Sequence, residues 1–132
     1  MTLSTDNLIS HFKATNKIHF SLEEIISIIQ LNTANVPIES MGVILDKEQR
    51  ICKYNGYVIQ LTLKEFELLG YLMSNINKVQ TRDRILNSVW GEDVYVSGRT
   101  VDVHINKLRV KLGTDMMIET KKGVGYMWKE VF

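Results

Sequence analysis

The stretch RTVDVHINKLRVKL, residues 99–112, decides how the rest of the chain is read. Wound as a helix, at about 100° per residue, it places Val101, Ile105, Leu108 and Leu112 on one apolar stripe. Arg99, Val103, Asn106 and Val110 form a second stripe on the far side, flanked by Asp102 and Lys107. A helix that buries one face normally leaves a uniformly charged, solvated face opposite. Here the outer face mixes Arg, Lys, Asn, Asp and two bare Val. That set has the chemistry to read base edges: Arg or Lys to guanine acceptors, Asn to adenine, Val against a thymine methyl. On this stretch alone an ordinary amphipathic helix with a few exposed apolar residues is the favoured reading, so its surroundings have to decide.

Upstream, Thr62-Leu63-Lys64-Glu65 has the spacing of a capping box, with Leu61 and Phe66 as its hydrophobic staple. The helix it starts buries Phe66, Leu69, Leu72, Met73 and Ile76, and Gly70 inside it suggests close packing there. Thr81 caps the next helix, with Ile85, Leu86 and Val89 inward, Trp90 at its end and Gly91 as its stop. Ser97 or Gly98 starts the 99–112 helix and Gly113 ends it. Residues 117–120 and 126–129 read as a hairpin around Lys121-Lys122-Gly123-Val124-Gly125.

Before these helices the pattern is that of strands. Residues 43–45, 51–54 and 57–61 form three short runs, and Asn55-Gly56 is a two-residue hairpin turn. Residues 32–40, NTANVPIES, hold the only proline and read as a linker. Ahead of it, Ser21-Leu22-Glu23-Glu24 is another capping box, with Phe20 and Ile25 as staple, opening an isoleucine-rich helix to about Leu31. A short helix is expected over Asn7–Ala14. The division is a helical extension, 1–36, and a domain, 37–132.

The predicted fold class is α+β. It comprises an N-terminal antiparallel sheet, three helices and a C-terminal β-hairpin wing, preceded by the helical extension. A helix–turn–helix followed by a hairpin is a winged helix, in which the second helix of the pair enters the major groove and the wing lies along the backbone or minor groove. In that context the mixed outer face has a physical use.

Composition sets bounds. The chain has 132 residues, 45% of them hydrophobic, enough for one cored domain with an appendage. Net charge is +1, with −1 over residues 1–80 (7 basic, 8 acidic) and +2 over 81–132 (9 basic, 7 acidic). A nucleic-acid surface must therefore be a local patch. Cys52 is the single cysteine, which suits a reducing compartment, and Ile51 and Lys53 beside it suggest a packed strand position. No run approaches the ~20 apolar residues of a membrane span, and no signal-peptide pattern opens the chain, so a cytoplasmic protein without membrane partners is expected.

Catalysis is not expected. His11, His19 and His104 are scattered without metal-ligand spacing. Glu23-Glu24 and Glu65/Glu67 serve caps and exposed faces. No helix follows Gly123-Val124-Gly125 to make it a phosphate cradle. No cofactor or metal is expected.

The segments LTLKEFELLGYLM (61–73), TRDRILNSVWG (81–91), YVSGRTVDVHINKLRVKLG (95–113) and IETKKGVGYMW (118–128) closely resemble the effector domain of OmpR/PhoB-type response regulators of two-component systems. The resemblance spans about Met41 to Glu130. It implies a four-stranded N-terminal sheet, sequence-specific binding to double-stranded DNA and transcription regulation in bacteria. The helix 99–112 would sit in the major groove and the wing 120–126 at the minor groove. By position it implies that Asp102, Val103, Asn106 and Lys107 face the groove. Trp90, Arg99, Thr100 and Arg109 would hold the backbone, with Lys111 added to that set. Lys122, with Lys121 beside it, would serve the minor groove. Val94, Tyr95, Val96 and Ser97 would form the loop that touches RNA polymerase in activators, and a homodimer would form on direct-repeat sites.

Two positions depart from the pattern. Asn106 replaces a basic residue and adds adenine preference. Lys122 replaces an Arg better suited to a narrow minor groove. KIHFSLEEIISII (17–29) is similar to the end of a receiver domain, but residues 1–36 are too short to hold a complete receiver of roughly 120 residues. Control by phosphorylation through this chain is therefore not expected. Two rivals remain: a winged helix used only for protein contact, and a DNA-binding dimer joined by the isoleucine helix.

Overall fold

The computed structural model describes residues 20–34 and 36–131. The expected helix Asn7–Ala14 lies outside them. The chain divides into two units at Val36–Pro37.

In the first unit, α1 spans Leu22–Ala34. Ser21 caps it, its hydroxyl accepting from Glu24 N at 3.2 Å. The helix runs past Leu31 through part of the expected linker, because residues 32–34 contain no breaker. It ends before Val36, which Pro37 turns away from helical geometry. Leu22 and Ile26 are exposed.

The second unit opens with four strands: β1 (Ile38–Ser40), β2 (Val43–Asp46), β3 (Ile51–Tyr54) and β4 (Tyr57–Ile59), paired antiparallel in that order. The expected linker thus supplies a strand at its end. Sequence periodicity misses β1 because a three-residue strand is too short to show alternation. Two tight turns set the register. Asn55-Gly56, at φ 49° and 86°, joins β3 to β4 as expected. Met41-Gly42, at φ 53° and 81°, does the same for β1 and β2, a role that Met does not advertise.

Next comes α2 (Leu63–Met73). Its capping box is complete: Thr62 Oγ1 accepts from Glu65 N, and Glu65 Oε1 accepts from Thr62 N. Phe66, Leu69, Leu72 and Met73 are buried as read, and Ile76 is partly buried. Gly70 differs from expectation. A Cβ there would lie 3.8 Å from Leu45 Cδ1 and 3.9 Å from Lys47 Cε, ordinary van der Waals contact, so close packing does not require the glycine.

The two-residue strand β5 (Gln80–Thr81) leads into α3, a single α-turn over Arg82–Ile85 that widens into a π-helical turn, Leu86–Trp90. Thr81 caps it, accepting from Arg84 N. Gly91 closes it at φ 99°, with its N–H donating to Leu86 O. After the loop, α4 spans Gly98–Leu112 and ends at Gly113, φ 72°. β6 (Ile118–Lys121) and β7 (Gly125–Trp128) form the wing hairpin. The second sheet has the order β5-β7-β6, so the wing is anchored to a strand that precedes α3 and α4 in the chain.

One core joins these parts. Val43, Leu45 and Cys52 from the first sheet meet Leu68, Leu69 and Leu72 of α2, Ile85 and Val89, the α4 stripe, and Ile118 and Trp128 of the wing. Trp128 is fully buried, and its indole N–H donates to Ser40 Oγ at 2.8 Å. Ser40 in turn donates to Glu130 Oε2 at 3.0 Å, so the two sheets share one polar link inside the core. Burial pushes the Cys52 thiol up to about 11, which keeps it protonated and unreactive at neutral pH.

Candidate nucleic-acid interface

The site is built on α4. Val101, Ile105 and Leu108 are fully buried and Leu112 nearly so, in the stripe read from the sequence. Burying that stripe against α2 and α3 turns the opposite stripe outward. Val103 is 43% exposed and Val110 80% exposed, with Asn106 and Lys107 exposed between them and Arg99 at the start. No intramolecular partner engages the Asn106, Lys107 or Lys122 side chains among the described residues. Two cations and an amide are thus available, beside apolar carbons at the spacing of one helical face.

Other members of the expected set are held by the fold. Asp102 Oδ1 accepts from Arg82 Nε at 2.9 Å and from the Tyr126 hydroxyl at 2.5 Å. Burial pushes this carboxyl up, but the Tyr126 and Arg82 hydrogen bonds and the Arg82 charge outweigh it and leave the group below its ordinary value. Lys111 Nζ donates to Glu65 Oε1 at 2.7 Å. Glu65 is 1% exposed, and burial alone would raise its carboxyl; Lys111 and Thr62 reverse that and hold it low. Arg109 Nη2 donates to Ile118 O and to Thr120 Oγ1, fastening α4 to β6.

Trp90 and His104 stack edge to face, with centroids 5.0 Å apart at 84°. His104 Nδ1 lies 2.8 Å from Thr100 O. A carbonyl can only accept, so the ring carries its proton on Nδ1. Thr100 and Trp90 are partly buried beside the outer stripe. At the wing tip, Gly123 takes φ 76° and Val124 N donates to Lys121 O at 2.9 Å. Lys121 pairs with Glu119 at 3.2 Å, while Lys122 extends from the tip. The loop ahead of α4 carries Val94 and Val96 exposed and Tyr95 99% exposed.

Two residues of the site were not singled out in the sequence. Arg82 and Tyr126 contact α4 from α3 and β7, and their meeting depends on how distant elements pack. Both lie in segments that carry the family resemblance, Arg82 in 81–91 and Tyr126 in 118–128, but nothing in those segments pairs them with Asp102.

This arrangement matches a known family. The model of the family described as transcriptional regulatory protein, C terminal, matches residues 56–128, more than half of the chain. The transcriptional regulatory protein VxrB of Vibrio cholerae is 47% identical over 85 residues, covering 64% of this chain and 34% of that protein. The phosphate regulon regulatory protein PhoB of Escherichia coli is 39% identical over 98 residues, covering 72% of this chain and 43% of its own. The crystal structure of the Klebsiella pneumoniae RstA DNA-binding domain in complex with the RstA box superimposes with a TM-score of 0.63 at 27% identity. That match covers 70% of this chain and 96% of RstA's. The chain belongs to this family of OmpR/PhoB-type effector domains, and its second unit is a winged helix. It spans less than half the length of the VxrB and PhoB relatives.

Proposed function

We propose that residues 37–132 bind a specific sequence in double-stranded DNA and regulate transcription, as a binding module without catalysis of its own. In this reading α4 enters the major groove with Val103, Asn106 and Lys107 toward the base edges, and Lys122 follows the minor groove. Arg99, Trp90 and Thr100 flank the backbone. One observation carries the reading: the face of α4 opposite the buried stripe offers Asn106 and Lys107 without intramolecular partners, beside the exposed Val103. The RstA DNA-binding domain, whose crystal structure is a complex with the RstA box, supports DNA binding by this fold. The exposed Val94-Tyr95-Val96 loop is the surface offered to RNA polymerase, and paired copies on direct repeats are the expected assembly. No helix among the described residues is long and apolar enough to cross a membrane, in keeping with action in the cytoplasm.

Selection from a random duplex library at two salt concentrations tests the reading. The expected result is an enriched motif whose retention falls steeply with salt, since each phosphate neutralised adds about 0.9 to the slope of log affinity against log salt. Retention without enrichment would reduce the function to electrostatic binding. No retention at low salt would favour a winged helix that contacts only protein.

A further inference from the structure

Asp102 lies on the first turns of α4, where the family resemblance would place it among the base-facing residues. Its side chain is engaged elsewhere. The Arg82 stem, from the start of α3, passes against Gly98, where a Cβ would lie 3.1 Å from Arg82 Cδ. Gly98 and Asp102 are one turn apart on the same side of α4, so this passage delivers the guanidinium to the carboxylate. Nε donates to Asp102 Oδ1 at 2.9 Å, and the Tyr126 hydroxyl of β7 donates to the same oxygen at 2.5 Å. Arg82 Cζ sits 5.3 Å from the Tyr126 ring centroid, and Arg109 Cζ sits 5.7 Å from it. Arg109 then reaches Ile118 O and Thr120 Oγ1 on β6. One carboxylate therefore joins α3, α4 and β7 through charge-assisted bonds, and Arg109, lying over the Tyr126 ring, carries the link on to β6.

We infer that Asp102 is a positioning residue: it ties the recognition helix to Arg82 and Tyr126 and so sets the distance between the two DNA-docking elements, α4 and the wing. The inference rests on the DNA reading proposed above. Arg82 and Tyr126 meet the same oxygen, Oδ1, so the direction of the carboxylate is set by the fold and only Oδ2 is left to the groove. Both donors that Asp102 meets belong to the fold, and a carboxylate facing phosphates would repel them unless its charge were already answered. Arg82 supplies that answer. With the tether intact, Lys122 at the hairpin tip keeps a defined offset from Asn106 and Lys107. With it cut, helix and wing bind as separate pieces, and the wing adds little.

The test uses the full chain and the duplex enriched in the library selection. Affinity, salt slope and preference at each base column are measured for wild type, Asp102→Asn, Asp102→Ala, Tyr126→Phe and Lys122→Ala, and for Lys122→Ala combined with each of the others. Folding of every variant is checked by circular dichroism at the binding temperature. Asp102→Asn and Tyr126→Phe keep shape and ring, so they carry the test if Asp102→Ala does not fold.

Asp102→Asn and Tyr126→Phe should each lower affinity about tenfold, the scale of one hydrogen bond to a charged group, with the loss spread across base columns. The reduction of about 1 in salt slope caused by Lys122→Ala should shrink toward zero once the tether is cut. A role in stability alone would lower the melting temperature and leave the Lys122 effect unchanged, which would overturn the inference. So would a loss confined to a single base column with the wing contribution intact, since Asp102 would then be reading a base. Unchanged affinity in Asp102→Ala would overturn it as well. A wild-type chain that retains no duplex would instead refute the DNA reading and remove the inference with it.

Discussion

The two sheets of the second unit are built by different means. The first, β1 to β4, is a meander whose tight turns lie between neighbouring strands, and each pairing is local in sequence. The wing sheet sets β7 between β6, its hairpin partner, and β5, which lies before α3 and α4. The first sheet can therefore tolerate strain at a turn, because the damage stays in one hairpin. The wing sheet depends on a close approach between distant segments, and its failure would spread to the docking surface.

Gly125 should show the difference most sharply. A Cβ on it would lie 1.9 Å from Gln80 O, with no flexible side chain to yield. Gly125→Ala should cost about 3 kcal/mol or more, read as a shift in denaturant midpoint. A cost below that of an ordinary exposed substitution would show that β5 and β7 separate freely and that the wing is not anchored there.

Glu65 sits between the two halves, on the α2 helix that covers the first sheet and paired with Lys111 of α4. Its folded carboxyl lies below its unfolded value near 4.5, so the folded state binds the proton less readily. The stability this supplies is fully present above about pH 4.5 and is lost as pH falls through the lower folded value. Asp102 adds the same sign just below, relative to 3.8. Glu65→Gln should cost about 2 kcal/mol at neutral pH and flatten the acid limb of stability against pH. An unaltered acid limb would place the coupling between the halves in apolar packing alone.

At Gly56, by contrast, φ is 86° and nothing lies within 4 Å of a Cβ. Gly56→Ala should cost about 1 kcal/mol, the backbone strain alone, with no local change in the wing. A rise in β7 amide exchange beyond what that loss of global stability accounts for would show that strain at this turn reaches the wing.

The smallest expected effect is on the wing tip. Lys122→Ala should leave stability unchanged and lower the salt slope of DNA binding by about 1. Lys121→Ala should lower it less, because Lys121 is already paired with Glu119. Equal slopes for the two variants would mean that the Glu119 pair opens on DNA.

These contrasts mark where the sequence was legible. The capping box at Thr62, the cap at Thr81 and the turn at Asn55-Gly56 act over a few residues, and each was readable before any packing was considered. The buried stripe of α4 followed from its period. β1 and β5 did not, since strands of three and two residues have no period and exist only because a partner strand pairs with them. Gly70 also misled: a glycine in a helix suggests a close neighbour, but only the positions of Leu45 and Lys47 show that there is room.

The candidate site divides in the same way. The types of residue on the outer face of α4 are written in the chain, and so is the spacing that brings Val103, Asn106, Lys107 and Val110 together. Which of the polar groups remain available is not. Lys107 and Lys111 are both lysines on one helix, yet Lys111 is held by the buried carboxylate of Glu65, 46 residues earlier. Asp102 is held by Arg82 and Tyr126, 20 and 24 residues away on either side. A single helix's pattern decides which face is apolar, because that depends on neighbours within two turns. Whether a charge on the other face meets solvent, DNA or the protein depends on which distant side chains arrive beside it, and only the tertiary structure decides that.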